Sequence, residues 1–430
     1  MISSLLQHGG VRPWAPTLVF FLMRFTLTAL TLLYTDQSMA LRRISAFTIV
    51  LISCLQLLFL LTFPVSVSWA TISATDCFAL TIHQINLLII TKVERDDLRF
   101  GQQTGPPAGK ISQELAATFY QMISIRGIHT KWQAKNTPTW PRIYDRKHMN
   151  ATFFIKRQSA IAIWQIMLLV FLFAVWQRWQ SSTPMAGLTS SPATSRELGR
   201  RVMLGVSMWF LLFRVMGDIY YRITSIMATL IGVSSFTDWP PLFNSFLEAW
   251  TLRRFWGVFW HQSFRWPFCS LATIITQQFL SLRRPSFLER YTHILCVFVI
   301  SGLMHTIGDM AQGMRWNESG ALLFFSSFAL GIMVEDGAQA AWRWMRATGR
   351  RMDARMPGKT PIWQKVVGFI WVALWLAILT PYYLGGTMQT QDADASLSQL
   401  SLISDLHALV LAAIVVIGAI FLRRNFGASP

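Results

Sequence analysis

Long runs of hydrophobic residues recur along the whole chain and are separated by shorter polar stretches. A helix needs roughly 17–25 mostly apolar residues to cross the hydrocarbon core of a bilayer. The pattern therefore predicts an all-α, polytopic integral membrane protein with about nine transmembrane helices. The predicted spans are 15–34, 44–63, 74–91, 159–177, 202–222, 291–308, 319–334, 366–386 and 404–422.

One apolar stretch, 267–282, is shorter and lies between Arg265 and Arg283. At about 1.5 Å per residue a helix of this length extends over roughly 24 Å, which predicts a re-entrant or interfacial helix. The order of segments predicts three parts: N-terminal transmembrane helices over 1–91, a basic cytosolic loop over 92–158, and a helical core over 159–430.

The composition agrees with a membrane protein. Of the 430 residues, 53% are hydrophobic and 13% are charged, against about 25% charged residues in a typical soluble domain. The net charge of +18 comes mostly from residues between the apolar runs, which is typical of cytosolic loops beside anionic lipid. No basic domain stands apart, so composition disfavours nucleic-acid binding. The basic loops predict a luminal N-terminus and a cytosolic C-terminus.

The four cysteines show neither a CxxC pair nor the Cys/His spacing of a metal site. The sequence therefore predicts no disulfide framework and no zinc centre.

An ionisable side chain stands out in "VFVISGLMHTIGD" (297–309), where His305 ends an apolar run. Ser301, His305 and Asp309 follow one another at four-residue spacing and share one face of a helix. Asp309 can accept a proton from one ring nitrogen and leave the other as a base. Gly302, beside this face, allows a substrate or another helix to approach closely. The alternative is a histidine that a neighbouring helix satisfies near the membrane interface.

A second stretch, "LEAWTLRRFWGVFWHQSFRWP" (247–267), is rich in tryptophan and arginine. At helical spacing Arg253, Gly257 and His261 line one side, and Trp256 and Trp260 lie along another. The alternative is an interfacial helix with tryptophans at the headgroups and arginines on lipid phosphates.

Together these stretches resemble the wax-synthase-like branch of the membrane-bound O-acyltransferases, whose fungal members carry R-x-F-W-G-x-x-W-H and then S-G-x-x-H. The matching segments here are "RRFWGVFWHQ" and "SGLMH". The segment "IRGIHTKWQAKN" (125–136) resembles a loop motif of that branch, and "MVEDGAQ" (333–339) resembles the acidic tail of the helix after the catalytic histidine. Many membrane-bound O-acyltransferases, including plant wax synthases, have Asn where this chain has His261, which leaves the role of this imidazole open.

The resemblance implies transfer of an acyl group from acyl-CoA, as co-substrate, to a hydroxyl group inside the membrane. It implies His305 as the general base, oriented by Asp309, and His261 as the donor that either polarises the thioester or positions coenzyme A. Arg253, Arg254 and Arg265, together with Trp256, are expected to bind coenzyme A on the cytosolic side. No metal and no bound cofactor are expected.

The fungal members of this branch mostly acetylate secondary metabolites, so acetyl transfer to a terpenoid or polyketide hydroxyl in the endoplasmic reticulum membrane is the leading prediction. Bulky side chains near His305 are expected to close any tunnel for a long acyl chain; the candidates are Met304, Phe324, Phe325 and Phe328. Long-chain wax ester synthesis is one alternative. A membrane terpene cyclase or a transporter is another, and a cyclase could use the intramembrane acids Asp76, Asp218, Glu335 and Asp336.

Overall fold

The computed structural model describes residues 14–36, 39–63, 67–95, 97, 110–140, 150–181, 194–349, 360–391 and 405–426. Every described element of secondary structure is helical. Eight of the described helical segments are long and apolar enough to cross a membrane, and Leu411–Arg423 is a shorter apolar helix. The prediction of an all-α polytopic membrane protein is confirmed, and the predicted number of about nine spans is close to this count.

The α-helices, in chain order, are α1 (Trp14–Tyr34), α2 (Ala40–Thr62), α3 (Val67–Ile85), α4 (Lys110–Ile123), α5 (Ala151–Ser181), α6 (Ser195–Val206), α7 (Phe213–Leu230), α8 (Leu252–Arg254), α9 (Arg265–Thr273), α10 (Phe287–Ala311), α11 (Ala321–Gly349), α12 (Ile362–Gln391) and α13 (Asp405–Phe426). Several helices are longer than the spans predicted from the sequence. The reason is that hydropathy marks only the apolar middle, whereas helical hydrogen bonding continues into the polar ends.

Among the described residues, four π-helical segments continue or join α-helices, and hydropathy alone does not predict them. These segments are Asn86–Ile90 after α3, Ser207–Leu212 between α6 and α7, Phe255–Phe259 after α8, and Ile274–Phe279 after α9. π-Helical turns occur frequently at functional sites, because the extra residue re-aims the side chains that follow. The predicted interfacial stretch 267–282 largely coincides with α9 and its π-helical continuation, and it is absent from the helices of membrane-crossing length.

The chain forms two compact units. The first unit comprises Met1–Ala134 and Ser263–Ala340, and the second comprises Lys135–Gln262 and Ala341–Pro430. The three-part division predicted from hydropathy concerns the order of segments along the chain, and it stays a prediction.

In the first unit a buried arginine joins three helices. Arg24, in the middle of α1, is fully buried. Its Nη1 donates hydrogen bonds to Thr81 Oγ1 at 2.8 Å, to Ser53 Oγ at 3.3 Å and to the Cys77 carbonyl at 3.3 Å. Because a charged group in an apolar environment needs hydrogen-bond partners, these contacts hold α1 against α2 and α3.

In the second unit, α13 packs against α5 and α6 packs against α12. Trp164 Nε1 on α5 donates a 2.8 Å hydrogen bond to the Val415 carbonyl on α13. A Cβ atom on Gly205 of α6 would lie 2.8 Å from the carbonyl carbon of Leu376 on α12. The small residue therefore allows the backbones of these two helices to approach each other closely.

Candidate active site

His305 lies on α10 in the first unit and contacts the following helix. Its imidazole is partly buried and stacks on the ring of Phe325, with ring centroids 4.5 Å apart and planes inclined by 6°. Phe325 is itself buried, so α11 supplies an apolar wall on one side of the imidazole.

Two glycines fix the position of α10 within the first unit. A Cβ atom at Gly302 would lie 2.9 Å from Leu322 Cα on α11, and one at Gly308 would lie 2.7 Å from Thr75 Cγ2 on α3. The predicted close approach at Gly302 is therefore made by a neighbouring helix. Because a larger residue at either position would push α10 away, both glycines help to place His305.

Asp309 is buried one turn after His305. Its Oδ2 accepts a 2.6 Å hydrogen bond from Ser319 Oγ, which also lies 3.4 Å from Thr306 Oγ1. This contact joins the last turn of α10 to the connection before α11. The role predicted for Asp309 in orienting His305 stays a prediction.

The acidic tail of α11 pairs with the beginning of α10. Asp336 Oδ2 accepts hydrogen bonds from Arg290 Nη2 at 2.9 Å and from Tyr291 Oη at 2.8 Å. The neighbouring Glu335 is buried. The acidic motif therefore joins the two helices that carry His305 and Phe325.

His261 belongs to the second unit and follows a helical turn rather than lying on it. Thr251 Oγ1 accepts a 3.0 Å hydrogen bond from the Arg254 amide and caps α8. The helix continues as the π-helix Phe255–Phe259 and ends at Trp260, whose backbone is extended. The expectation that Arg253, Gly257 and His261 line one helical side is wrong, because the helical hydrogen bonds stop before His261.

Gln262 stabilises this helix end. Its Nε2 donates hydrogen bonds to the Trp256 carbonyl at 3.0 Å and to the Trp260 carbonyl at 2.6 Å. Carbonyl groups at a helix end lack helical partners, and the buried amide satisfies two of them. The conformation that presents His261 is therefore held by the side chain of the next residue.

Aromatic rings surround His261 within the second unit. Its ring centroid lies 5.9 Å from that of Phe243 and 5.5 Å from that of Trp260. Trp209, in the π-helical segment before α7, contacts both Trp256 and Trp260, with centroid distances of 5.5 Å and 5.2 Å. Sequence reasoning missed Trp209 and Phe243, because they lie far from the motif in sequence and no local pattern marks them.

The second half of the loop motif also contacts this segment. Asn136 Nδ2 donates a 2.7 Å hydrogen bond to the Gly257 carbonyl. Asn244 Nδ2 donates to the Asn136 carbonyl at 3.1 Å and to the Val258 carbonyl at 3.0 Å. Two motifs that are distant in sequence are thus hydrogen-bonded to each other, and Asn244 completes the set without having been predicted.

The first half of the loop motif packs within the first unit. Trp132 stacks on Trp266, with centroids 5.5 Å apart and planes inclined by 8°. The Trp266 ring packs edge to face with the His83 ring. His83 Nε2 lies 2.9 Å from the Gln121 carbonyl oxygen. This fully buried histidine was not predicted from the sequence.

The four residues expected to bind coenzyme A differ in their surroundings. Arg254 Nε donates a 3.1 Å hydrogen bond to the Glu248 carbonyl, its guanidinium is paired with the Glu248 carboxylate, and it lies 5.0 Å from the Trp250 ring centroid. Arg253 and Trp256 lie in the same partly buried segment of the second unit. Arg265 begins α9 in the first unit. The role of these side chains in binding coenzyme A stays a prediction.

Within the described residues, no group of three or more His, Cys, Asp or Glu side chains is arranged to hold a metal ion. All four cysteines are free thiols.

Comparison with known proteins identifies the family of this chain. The family described as "Membrane bound O-acyl transferase family" matches residues 239–327, a range that contains both His261 and His305. Acetyltransferase spyB of Aspergillus fumigatus is 34% identical over 85% of this chain and 64% of its own length, so the match spans just under two thirds of that protein. Acetyltransferase atnC of an Arthrinium species is 35% identical over 72% of this chain and 73% of its own.

Acetyltransferase TRI7 of Fusarium sporotrichioides is 33% identical over 81% of this chain and 80% of its own length. No solved structure matches the chain. The membrane-length helices and these matches define an integral membrane acyltransferase. The chain belongs to the membrane-bound O-acyltransferase family.

Proposed function

We propose that this protein transfers an acetyl group from acetyl-CoA to a hydroxyl group of a hydrophobic secondary metabolite, a terpenoid or a polyketide. The observation that carries the proposal is the family match over 239–327, which includes His261 and His305. The relatives named acetyltransferases, at 33–35% identity, support acetyl as the transferred group.

In the proposed mechanism His305 accepts the proton of the acceptor hydroxyl as its oxygen attacks the thioester carbonyl. A new C–O bond forms, the C–S bond breaks, and the proton passes to the departing sulfur to give coenzyme A as a thiol. General-base catalysis of this kind contributes roughly 10²–10⁴-fold in rate. Asp309 is proposed to orient the imidazole through the helix end that it joins to Ser319.

His261 is proposed to donate a hydrogen bond to the oxyanion that develops on the thioester carbonyl. Removing one such donor typically costs about 10²–10³-fold in rate. Its rigid presentation by Gln262 and the surrounding aromatic rings supports this assignment, since a preorganised donor needs no reorganisation during reaction. Arg253, Arg254, Arg265 and Trp256 are proposed as the coenzyme A contacts.

A short acyl donor fits the surroundings of His305 better than a long one. Met304, Phe324, Phe325 and Phe328 are all buried, and Phe324 lies against both Phe325 and Phe328 with centroids 5.1 Å away in each case. A wax ester synthase needs an apolar tunnel for a chain of many carbons. These packed side chains therefore support acetyl transfer over the long-chain alternative.

The alternative of a terpene cyclase receives less support from the acidic residues. Asp218 accepts from Arg222 Nη2 at 2.6 Å, and Asp336 accepts from Arg290 and Tyr291. Carboxylates held by guanidinium groups suit a structural role.

We place the protein in the endoplasmic reticulum membrane, with a luminal N-terminus and the basic loops in the cytosol.

The test is to express the chain in microsomes and to supply acetyl-CoA with a panel of terpenoid and polyketide alcohols. The proposal expects at least one alcohol to gain the mass of one acetyl group. Turnover of an isoprenoid substrate without any acyl-CoA would favour the cyclase instead, and a wax ester formed in preference to an acetate would favour the long-chain enzyme.

A further inference from the structure

One face of α7, in the second unit, carries Arg214, Asp218 and Arg222 at four-residue spacing. Residues spaced in this way are neighbours on a helix surface. Arg222 Nε and Nη2 donate to Asp218 Oδ2 at 2.9 Å and 2.6 Å. Gln165 Nε2 on α5 donates to the same oxygen at 2.7 Å. Asp218 is therefore already engaged by Arg222 and Gln165.

Arg214 lies one helical turn before Asp218, and its surroundings differ from those of Arg222. Its Nε is buried and has no hydrogen-bond partner among the described residues. Its guanidinium carbon lies 5.6 Å from the centroid of the Phe243 ring, and Phe243 meets His261 edge to face at 5.9 Å. One aromatic ring thus separates this cation from the imidazole proposed to stabilise the oxyanion.

Positive charge exceeds negative charge in this part of the second unit. Arg157 on α5 and Arg214 both interact electrostatically with Asp218 and Arg222. Among the described residues of this cluster, three guanidinium groups thus share the influence of one carboxylate, and Arg222 is hydrogen-bonded to it. An excess of buried cations is unfavourable in a low dielectric unless an anion joins them. The cluster consequently attracts negatively charged ligands.

We propose that Arg214 binds a phosphate group, and that during catalysis this phosphate belongs to acetyl-CoA. This inference rests on the proposed function. The guanidinium fork matches phosphate oxygens in a bidentate geometry. In coenzyme A a flexible pantetheine arm joins the phosphates to the thioester, and when this arm is bent, a cation one aromatic ring from His261 is within reach of a phosphate. An anionic phospholipid headgroup offers the same chemistry from another source.

The experiment compares two donors, acetyl-CoA and S-acetyl-pantetheine, which carries the same thioester but no phosphate. With Arg214→Gln we expect kcat/KM for acetyl-CoA to fall about 10- to 100-fold, the effect of one lost charge-assisted hydrogen bond. The value for S-acetyl-pantetheine should stay within about twofold of wild type. The ratio of kcat/KM for acetyl-CoA to kcat/KM for S-acetyl-pantetheine, measured in one preparation, does not depend on the folded fraction. Misfolding therefore cannot produce this result.

Two further variants sharpen the comparison. Arg214→Lys keeps the charge but loses the fork, so it should fall between wild type and Arg214→Gln in donor ratio. Arg196→Gln, at an exposed arginine of α6, is the matched control and should leave the ratio unchanged. An unchanged ratio in Arg214→Gln would overturn the proposal.

The lipid source is distinguished by repeating the assay in nanodiscs of phosphatidylcholine, with and without phosphatidylserine. If Arg214 binds a lipid headgroup, wild-type activity rises with phosphatidylserine, Arg214→Gln removes that rise, and the donor ratio stays constant. This outcome would overturn the assignment to acetyl-CoA.

A binding measurement separates failure of this proposal from failure of the proposed function. Purified protein is titrated with coenzyme A and with pantetheine. We expect Arg214→Gln to weaken binding of coenzyme A about 10- to 100-fold and to leave binding of pantetheine unchanged. Equal affinity of both proteins for coenzyme A would contradict the role of Arg214 even if no acceptor alcohol were acetylated.

Discussion

The imidazole of His305 lies flat against the ring of Phe325, with ring centroids 4.5 Å apart and the two planes inclined by only 6°. This stacking restricts the rotation of the imidazole and covers one of its faces with buried apolar surface. A general base must meet its proton at a defined distance and angle. The contact therefore links the packing of α11 to the proposed chemistry of α10.

The buried phenylalanines of α11 predict donor choice. Wild type is expected to prefer acetyl-CoA to palmitoyl-CoA when both compete for one acceptor alcohol. Phe324→Ala should shift this preference toward longer donors, because each methylene that finds buried space gains about 0.8 kcal/mol. The donor ratio is measured within a single sample, so the expected loss of stability from the cavity does not affect it. Preference of wild type for palmitoyl-CoA would support the wax ester alternative.

Ser319 predicts a change in stability. Its hydroxyl donates to the buried carboxylate of Asp309 at 2.6 Å, and loss of a partner to a buried polar group costs about 1–3 kcal/mol. Ser319→Ala should lower the unfolding midpoint in detergent. The partly buried Ser301, on the His305 face of α10, offers a control: Ser301→Ala is expected to have the smaller effect. Equal midpoints for Ser319→Ala and wild type would show that the hydrogen bond adds nothing.

Removing the Asn136 side chain is expected to lower activity, because its hydrogen bond to Gly257 supports the segment that precedes His261. Its backbone has a φ of 62°, so Asn136→Gly keeps the conformation and removes only the hydrogen bond to Gly257. One such bond is worth about 0.5–1.5 kcal/mol, which corresponds to a loss of roughly two- to tenfold in kcat/KM. His129→Gly, also at a positive φ of 60°, is the matched control and should retain activity. If both variants behave alike, the loop does not support His261 in the way we infer.

Membrane orientation is tested by glycosylation. Asn150-Ala151-Thr152 is an acceptor sequence that the basic-loop rule places in the cytosol. We expect Asn150→Gln to leave the electrophoretic mobility of the microsomal protein unchanged before and after endoglycosidase treatment. A glycan on Asn150 would reverse the assigned orientation.

Much of the fold was predictable because apolar length is a direct consequence of bilayer thickness. The two motif histidines stood out through their resemblance to the family motifs, since residue type and spacing alone left a structural alternative open for each. The surroundings of His261 were not predictable. Phe243 contacts it, and Trp209 and Asn244 contact the segment before it, only through tertiary packing. The prediction that Arg253 and His261 lie on one helical face was wrong for a local reason. The π-helix ends at Trp260, whose backbone is extended, so His261 does not lie on the helix.

The predicted basic loop contains two further histidines that we expect to be replaceable with little loss of activity. His148 lies outside the described residues, whereas His129 occupies an exposed turn. Met304, Phe324 and Phe328 were expected to be buried if they limit the donor, and all three are. Whether they limit the donor is a question for the competition assay.

The most direct test is the rate of acetyl transfer by His305→Ala. Microsomes that carry wild type, His305→Ala, His261→Ala, His261→Asn or His129→Asn are given radiolabelled acetyl-CoA and one acceptor alcohol, with expression matched by immunoblot. We expect His305→Ala to lose roughly 10²–10⁴-fold of the rate. His261→Ala should be severely impaired, and His261→Asn less so, because an amide also donates a hydrogen bond. His129→Asn should match wild type. Acetylation by His305→Ala at the wild-type rate would contradict the account.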